Sequence, residues 1–202
     1  MQLRHLNLDS NQIGDQGIEI ISSIGSLEEL HVNGSIATDK GFAHLADLKE
    51  LKYLDLGGPY LSDAGIATLS SLESLEELSI TNSNIAGVGF ENFSDSKIRV
   101  LELNHCKVSP AGLRGIAKLS AVQELSLFCS LVTDAGLDSL ARMPNLQSLD
   151  LYGNAVTKAG LQKLLPSNSL KTVDVAQCKI TDRECRIFNR TSGRLTAVFY
   201  ND

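Results

Sequence analysis

The clearest feature of the sequence is an apolar pattern that repeats along the chain. In the segment LQSLDLYGNAVTKAGLQKL, which begins at Leu146, the first, fourth and sixth residues are all leucine. The same apolar triplet starts at seven other places, 24 residues apart except for one step of 23: Leu3, Leu27, Leu51, Leu75, Ile98, Val122 and Leu170. Eight copies at this spacing predict a repeat architecture in which every copy forms the same structural unit.

Each copy is predicted to form one strand followed by one helix. Positions 3 to 7 alternate with a period of two, so side chains at positions 4 and 6 point into the core and those at 3, 5 and 7 point outward. A helix start follows position 11, because a Ser or Thr there can cap free backbone N–H groups and the next residue suits a first helical turn. The predicted starts are Thr38-Asp39, Ser62-Asp63, Ser109-Pro110, Thr133-Asp134, Thr157-Lys158 and Thr181-Asp182.

Stacking of these units predicts an α/β solenoid. Parallel strands lie about 4.8 Å apart and packed helices about 8–10 Å apart, so the stack bends into an open horseshoe. The parallel sheet then lines the concave face, the helices cover the convex face, and the concave face is the default binding surface. We expect residues 1–202 to form a single domain of about eight repeats, with a C-terminal cap over 183–202.

The repeat consensus L-x-x-L-x-L-x-x-[NC]-x-[IV]-[TS]-[DP]-x-G-[LI] resembles the ribonuclease-inhibitor-like leucine-rich repeats. Cys106 and Cys178 at position 9, with the TDAG sequence that begins at Thr133, are similar to the cysteine-containing subclass found behind F-boxes in ubiquitin-ligase adaptors. Bacterial repeat proteins have much the same pattern, and no segment of this chain resembles an F-box. The resemblance implies protein binding without identifying the bound protein.

Two repeats depart from the consensus. Pro59 replaces the usual residue at position 9, so the sequence Gly-Gly-Pro at 57–59 is expected to distort the end of the third strand. The fourth repeat is one residue shorter and reads Ala-Gly-Val-Gly at 86–89 where a helix start is expected, which predicts a short or displaced helix.

The two ends of the repeat array also differ from its middle. A polar helix from about Arg183 to Arg190 and a closing strand from Leu195 to Tyr200 are predicted to form the C-terminal cap. Its arginines form either a solvated outer face or a basic docking patch: Arg183, Arg186, Arg190 and Arg194. The first strand, around Leu6, has an open edge, which predicts either further residues upstream or self-association through this strand.

Composition narrows the possible partners and compartment. The chain has 18 basic and 24 acidic side chains, a net charge of −6, which argues against nucleic acid as a partner. No apolar run approaches the roughly 18 residues that a membrane span requires, and no signal peptide precedes the first repeat, so we expect a cytoplasmic protein. Four cysteines without metal-site spacing fit free thiols in a reducing compartment: Cys106, Cys129, Cys178 and Cys185.

Catalytic or metal-binding arrangements are weak in this sequence. His105 and Cys129 both occupy position 8 of adjacent repeats and could meet as an imidazole–thiol pair, or hold a metal with a third ligand. No orienting group or oxyanion donor accompanies them. We therefore predict no enzymatic activity, no cofactor and no metal, with an enzyme or redox device around this pair as the rival hypothesis.

The strongest functional signal is the charge on the outward strand positions. Positions 3, 5, 7 and 8 contain no Lys or Arg and eight carboxylates: Asp9, Glu29, Asp55, Glu77, Glu102, Glu124, Asp150 and Asp174. Asp150 and Asp174 share position 5 of neighbouring repeats and should lie about 5 Å apart. Unopposed charge in a concavity attracts cationic partners.

Aromatic residues accompany this charge at two places. Phe128 and Tyr152 take position 7 of adjacent repeats beside Glu102, Glu124, Asp150 and Asp174, as expected for a hot spot that binds Arg or Lys, although cross-strand packing is an alternative explanation. A second cluster combines Tyr53, Asp55 and Glu77 with Glu29 and His31. The predicted function is a non-enzymatic module that binds a protein with a basic segment. The alternative is the substrate-recognition arm of a larger ubiquitin-ligase-type adaptor or bacterial effector.

Overall fold

Nine short parallel strands form one sheet across the part of the chain that the structure, a computed structural model, describes: residues 2–93, 95–193 and 195–199. The strands follow one another in sequence order, and each contacts the next: β1 His5–Asn7, β2 Glu29–Val32, β3 Tyr53–Gly57, β4 Glu77–Thr81, β5 Val100–Asn104, β6 Glu124–Ser126, β7 Ser148–Asp150, β8 Thr172–Asp174 and β9 Thr196–Val198.

The register of the sheet follows the repeat numbering. Leu30 is paired with Leu54, and Leu149 with Val173, so position 4 always meets position 4. The 23-residue step keeps this register, because Glu77 is paired with Val100 at position 3. The residue missing from the fourth repeat is therefore removed from the segment between the strands.

Side chains at positions 4 and 6 form the core between the sheet and the helices. From the second repeat to the eighth, all of them are at most 2% exposed, as the alternation predicts. The helices that cover this side are α1 Asp15–Ser22, α2 Asp39–Ala43, α3 Asp63–Thr68, α4 Pro110–Ile116, α5 Leu137–Leu140, α6 Lys158–Gln162 and α7 Asp182–Thr191, with 3₁₀ helices at His44–Asp47, Leu69–Ser71 and Val88–Asn92. The predicted solenoid, with its parallel sheet on the concave face and its helices on the convex face, is confirmed.

Five of the six predicted helix starts are confirmed. The hydroxyls of Thr38, Ser62, Ser109, Thr157 and Thr181 each accept a backbone hydrogen bond from the first turn of the helix that follows. The start at Thr133-Asp134 is wrong, because α5 begins only at Leu137, after Gly136 with φ +90°. This glycine lies close to the preceding helix, since a Cβ on it would be 3.1 Å from Pro110 Cα.

The aspartates at helix starts also connect neighbouring repeats. Asp39 accepts hydrogen bonds from the backbone N–H and the hydroxyl of Ser62, at 2.8 and 2.6 Å. Asp15 does the same for Thr38, and Asp134 for Thr157. Each such carboxylate therefore holds the N-cap residue of the next repeat in place, which adds to the helix-dipole role expected from sequence.

The irregular third and fourth repeats keep their strands. Gly57 remains in the ladder opposite Thr81, and the distortion expected there is confined to Gly58, which has φ +155°. In the fourth repeat a 3₁₀ helix, Val88–Asn92, replaces the usual α-helix, as predicted. Asp63 compensates by accepting hydrogen bonds from the backbone N–H groups of Ala86, Gly87 and Gly89.

The ends of the sheet differ in how they are covered. Among the nine described strands β1 pairs with β2 alone and forms one edge, as predicted. At the other end α7 buries Cys185 and Phe188, and the side-chain amide of Asn189 hydrogen-bonds both the N–H and the C=O of Ala197 in β9. Arg194 and Tyr200, which the sequence places in this cap, lie outside the described residues. No helix in the described ranges has the length and apolar character needed to cross a bilayer.

Candidate functional site

The concave face is formed by the outward side chains of the strands, and its charge has one sign. Lys and Arg make ion pairs with Glu28, Glu76, Asp138 and Asp182. None of these ion pairs, in the part of the chain that the structure describes, involves the eight outward carboxylates. Within the described ranges, the carboxylates at positions 3, 5 and 7 therefore have no Lys or Arg partner.

Basic side chains lie on a rim of the sheet, one residue before β1, β3 and β5, and acidic side chains precede β2 and β4. Arg4 Nη1 and Lys52 Nζ contact the two oxygens of Glu28 at 2.8 and 2.6 Å, and Arg99 pairs with Glu76. The Lys52 ammonium lowers the pKa of Glu28, and Glu28 in turn raises the pKa of Lys52. Sequence analysis missed these ion pairs, although charges of alternating sign at position 2 of successive repeats were a signal that indicated them.

Phe128 and Tyr152 stack on each other on the concave face. Their ring centroids are 4.8 Å apart and their planes differ by 11°, while His105 meets Phe128 edge-to-face at 5.2 Å. The rings therefore pack across strands, as the alternative explanation held, and one face of each ring is covered. Both residues remain partly exposed, so the row His105, Phe128 and Tyr152 still presents aromatic surface to a partner.

Backbone hydrogen bonds hold this aromatic row in position. The N–H of Phe128 donates to Asn104 Oδ1 at 3.1 Å, and the N–H of Tyr152 donates to Asp150 Oδ1 at 2.8 Å. Asp150 Oδ2 also accepts a hydrogen bond from the Ser126 hydroxyl at 3.1 Å. Asp150 thus anchors Tyr152 and belongs to the charged surface at the same time.

Two shallow depressions lie beside the aromatic row and share Val100 and Glu102. We call their combined lining the acidic groove: Tyr53, Glu77, Leu78, Ser79, Val100, Glu102, Glu124, Leu125, Ser126, Ser148 and Asp150. Asp174 lies on the next strand, where its Cα is paired with that of Asp150. The structure therefore joins Tyr53 and Glu77, expected in a separate cluster, to the carboxylates near Phe128 and Tyr152.

Asp55 lies apart from the acidic groove. It packs against His31 and Asp9, and burial raises the pKa of its carboxyl. Of the second cluster expected from sequence, Glu29, Tyr53 and Asp55 lie around His31, while Tyr53 and Glu77 also line the groove. The Tyr53 ring still contacts the His31 ring at 4.9 Å, and burial raises the pKa of its hydroxyl.

The imidazole–thiol pair considered from sequence has no supporting geometry. The His105 ring packs on Phe128, whereas Cys129 Sγ lies beside Gly153, where an added Cβ would be 2.5 Å from the sulfur. Among the described residues no hydrogen bond joins His105 to Cys129. All four cysteines are free, and burial raises the pKa of Cys106 to about 11, so this thiol stays protonated at neutral pH.

The family follows from this repeat geometry together with a match in sequence. A family model described as Leucine Rich repeat matches residues 2–22, 94–117, 142–165 and 167–183. The chain is a leucine-rich repeat protein. The matches do not assign this leucine-rich repeat protein to the ribonuclease-inhibitor-like subclass, and no curated protein matches it in sequence.

Leucine-rich repeat proteins generally act as scaffolds for protein–protein interaction. They bind partners on an extended concave surface formed by successive repeats. In this leucine-rich repeat protein the corresponding surface holds the acidic groove and the row His105, Phe128 and Tyr152.

Proposed function

We propose that this leucine-rich repeat protein is a non-enzymatic binding module whose acidic groove recognises a basic segment of another protein. The observation that carries the proposal is the separation of charge. Every ion pair of Lys or Arg near the sheet lies on the rim, whereas Glu77, Glu102 and Glu124 line the groove without a basic partner among the described residues. Carboxylates of one sign in a concavity raise the local concentration of cations and speed their association.

The neighbouring aromatic row supplies the apolar part of the proposed interface. Phe128 and Tyr152 are fixed by stacking and by backbone hydrogen bonds, so binding costs little further loss of side-chain freedom. Rigid aromatic residues beside charged groups are the usual composition of interface hot spots. The stems of Lys or Arg side chains can pack on the partly exposed rings while their charged ends reach Glu102, Asp150 or Asp174.

Domain organisation and compartment belong to the same proposal. We treat residues 1–202 as one domain, because the paired strands run without interruption from β1 to β9. Four free thiols suit a reducing compartment, which supports a cytoplasmic location.

The first test identifies a partner by comparison of three baits. Wild type, Glu102→Lys and Lys118→Glu would each be used to capture proteins from extracts of the source cell. Both variants change the charge by two, but Glu102 lines the acidic groove and Lys118 follows α4 on the convex side. Proteins held by wild type and by Lys118→Glu, but not by Glu102→Lys, are the candidates.

The second test measures the affinity of such a partner. Phe128→Ala or Tyr152→Ala is expected to cost about 2 kcal/mol or more, mainly through faster dissociation, whereas Asp174→Lys should mainly slow association. Binding should weaken as salt concentration rises. A partner whose affinity survives the double change of Phe128 and Tyr152, or does not depend on salt, would contradict this site.

A further inference from the structure

Three potential metal ligands come together on the concave face outside the acidic groove. They are Asp9, which follows β1, and His31 and Asp55, which lie at position 5 of β2 and β3. One ligand atom from each of the three lies within 4.8 Å of the other two. We call them the Asp–His–Asp cluster.

The imidazole of His31 has one nitrogen hydrogen-bonded to Glu29 and the other directed towards Asp55. Its Nε2 hydrogen-bonds Glu29 Oε1 at 2.8 Å, and its Nδ1 lies 3.7 Å from Asp55 Oδ2. When Nε2–H donates to Glu29, Nδ1 carries the lone pair on the side of the cluster. A carboxylate that accepts from the non-ligating nitrogen is the usual outer partner of a metal-bound histidine.

Neighbouring side chains fix this arrangement further. His5 Nδ1 hydrogen-bonds the other oxygen of Glu29 at 2.8 Å, so Glu29 is held from both sides. The Tyr53 ring lies 4.9 Å from the His31 ring and restricts its rotation.

One aspartate of the cluster has an oxygen without a hydrogen bond, and the other is oriented by a backbone N–H. Asp55 Oδ1 is buried and has no hydrogen-bond partner in the described part of the chain, although buried polar atoms are nearly always paired. Asp9 Oδ1 accepts the N–H of Asn33 at 2.8 Å, which orients its carboxylate. Among the described residues no Lys or Arg forms an ion pair with either aspartate.

We propose that Asp9, His31 and Asp55 bind a divalent transition-metal ion of the Zn²⁺ class, with Glu29 as the hydrogen-bond partner of the ligating imidazole. Mixed imidazole and carboxylate ligands suit Zn²⁺ and Co²⁺, whereas Mg²⁺ and Ca²⁺ prefer oxygen alone. Tetrahedral ligands about 2.0–2.1 Å from Zn²⁺ lie about 3.3 Å from one another, so small side-chain rotations would close the cluster.

Three protein ligands leave one coordination position open. Water, or a ligand atom from a bound protein, would fill that position. The bound ion would also connect the first three strands. This proposal is independent of the acidic groove, because no residue of the Asp–His–Asp cluster lines it.

Titration calorimetry of the full chain with ZnCl₂ and with CoCl₂, and with MgCl₂ for comparison, tests the proposal. Wild type should bind one equivalent of Zn²⁺ or Co²⁺ in preference to Mg²⁺. His31→Gln and Asp55→Asn should each lower the affinity at least tenfold. Asp47→Asn is the matched control, since it makes the same charge change at an exposed aspartate in the helix layer, outside the cluster, and should bind as wild type does.

Further measurements distinguish metal binding at this site from binding at the free thiols, and loss of binding from loss of folding. Bound Co²⁺ should show weak visible absorption without a thiolate charge-transfer band, and Zn²⁺ should shift the imidazole ¹⁵N resonances of His31. Circular dichroism checks that each variant is folded. No binding by wild type, or equal binding by folded His31→Gln and Asp55→Asn, would overturn the proposal.

Discussion

At the residue scale, one turn position has a left-handed backbone in all eight repeats. Position 8 has positive φ whether it is glycine or not: Ser10, Gly34, Gly58, Asn82, His105, Cys129, Gly153 and Gln177. Non-glycine residues pay a steric cost in this region, so the neighbouring repeat must enforce it. It does so through hydrogen bonds such as those from the N–H groups of His105 and Cys129 to the carbonyls of Phe128 and Tyr152, both at 2.9 Å.

The carboxylate of Asp15 gives a prediction about pH. The Thr38 backbone N–H holds the pKa of Asp15 below its ordinary value of 3.8, because the hydrogen bond favours the ionised form. A lowered folded-state pKa means that this stabilisation is complete above the unfolded pKa and is lost as pH falls through the folded one. We therefore expect Asp15→Asn to be less stable than wild type at neutral pH, with a difference that shrinks below about pH 4.

Urea unfolding of both proteins from neutral to acidic pH measures this effect. Glu73→Gln, which changes an exposed carboxylate in a turn, is the control and should follow wild type throughout. A stability difference between Asp15→Asn and wild type that stayed constant down to pH 2 would contradict the assigned role.

At the scale of elements, the backbones of two neighbouring repeats approach each other closely in the helix layer, at the irregular fourth repeat. The 3₁₀ helix Val88–Asn92 takes the place of an α-helix there, and the backbone before it lies directly against α4. A Cβ on Gly112 would be 1.8 Å from the carbonyl oxygen of Ala86 and 2.9 Å from Gly87 Cα. Both contacts are with backbone atoms, which cannot move aside as a flexible side chain can.

We predict that Gly112→Ala destabilises the protein. Alanine in a helix gains about 0.5–1 kcal/mol over glycine, but overpacking against backbone costs about 1–3 kcal/mol or more, so the clash prevails. Gly25→Ala is the control, because its Cβ would meet no atom within 4 Å and its effect should stay within about 0.5 kcal/mol. Thermal and urea unfolding measure both variants, and a neutral Gly112→Ala would mean that the two repeats lie further apart.

At the scale of the whole molecule, stability should vary along the solenoid. Each repeat contacts mainly its neighbours, so an end repeat lacks one interface. β1 pairs on one side only, Leu3 is 46% exposed and Leu6 is only partly buried, whereas Leu149 in the middle of the sheet is 1% exposed. The opposite end is covered by α7, which buries Phe188.

Hydrogen exchange should therefore reveal early opening at β1. Its backbone amides are expected to exchange before those of β5, because local opening there breaks fewer buried contacts. Self-association through the free edge of β1 would instead protect these amides in a concentration-dependent way. Strong and uniform protection of residues 3–8 in a protein shown to be monomeric would contradict both expectations.

Repeat position in the sequence correctly indicated which carboxylates share a surface, whereas contacts that depend on the distance between repeats were not predicted. Glu102, Glu124 and Asp150 were expected on one surface and line the same groove. Asp55 was grouped with Tyr53, Glu77, Glu29 and His31; it lies half-buried beside His31 and does not line the groove that Tyr53 and Glu77 line. The pairing of Lys52 with Glu28 was missed, although the alternating charge at position 2 of successive repeats was a sequence signal for it.

The sequence alone determined the solenoid, its register, its core and the one-sided charge of its concave face. Because apolar and polar residues alternate along each strand, the sequence shows which face of the sheet a side chain lies on. Because the repeat period is nearly constant, the sequence also shows which residue lies beside it on the next strand. Only the tertiary structure decided the late start of α5, the stacking of Phe128 on Tyr152 and the meeting of Asp9, His31 and Asp55. Those features depend on how closely successive repeats approach, which is set by backbone contacts and side-chain conformations across the stack.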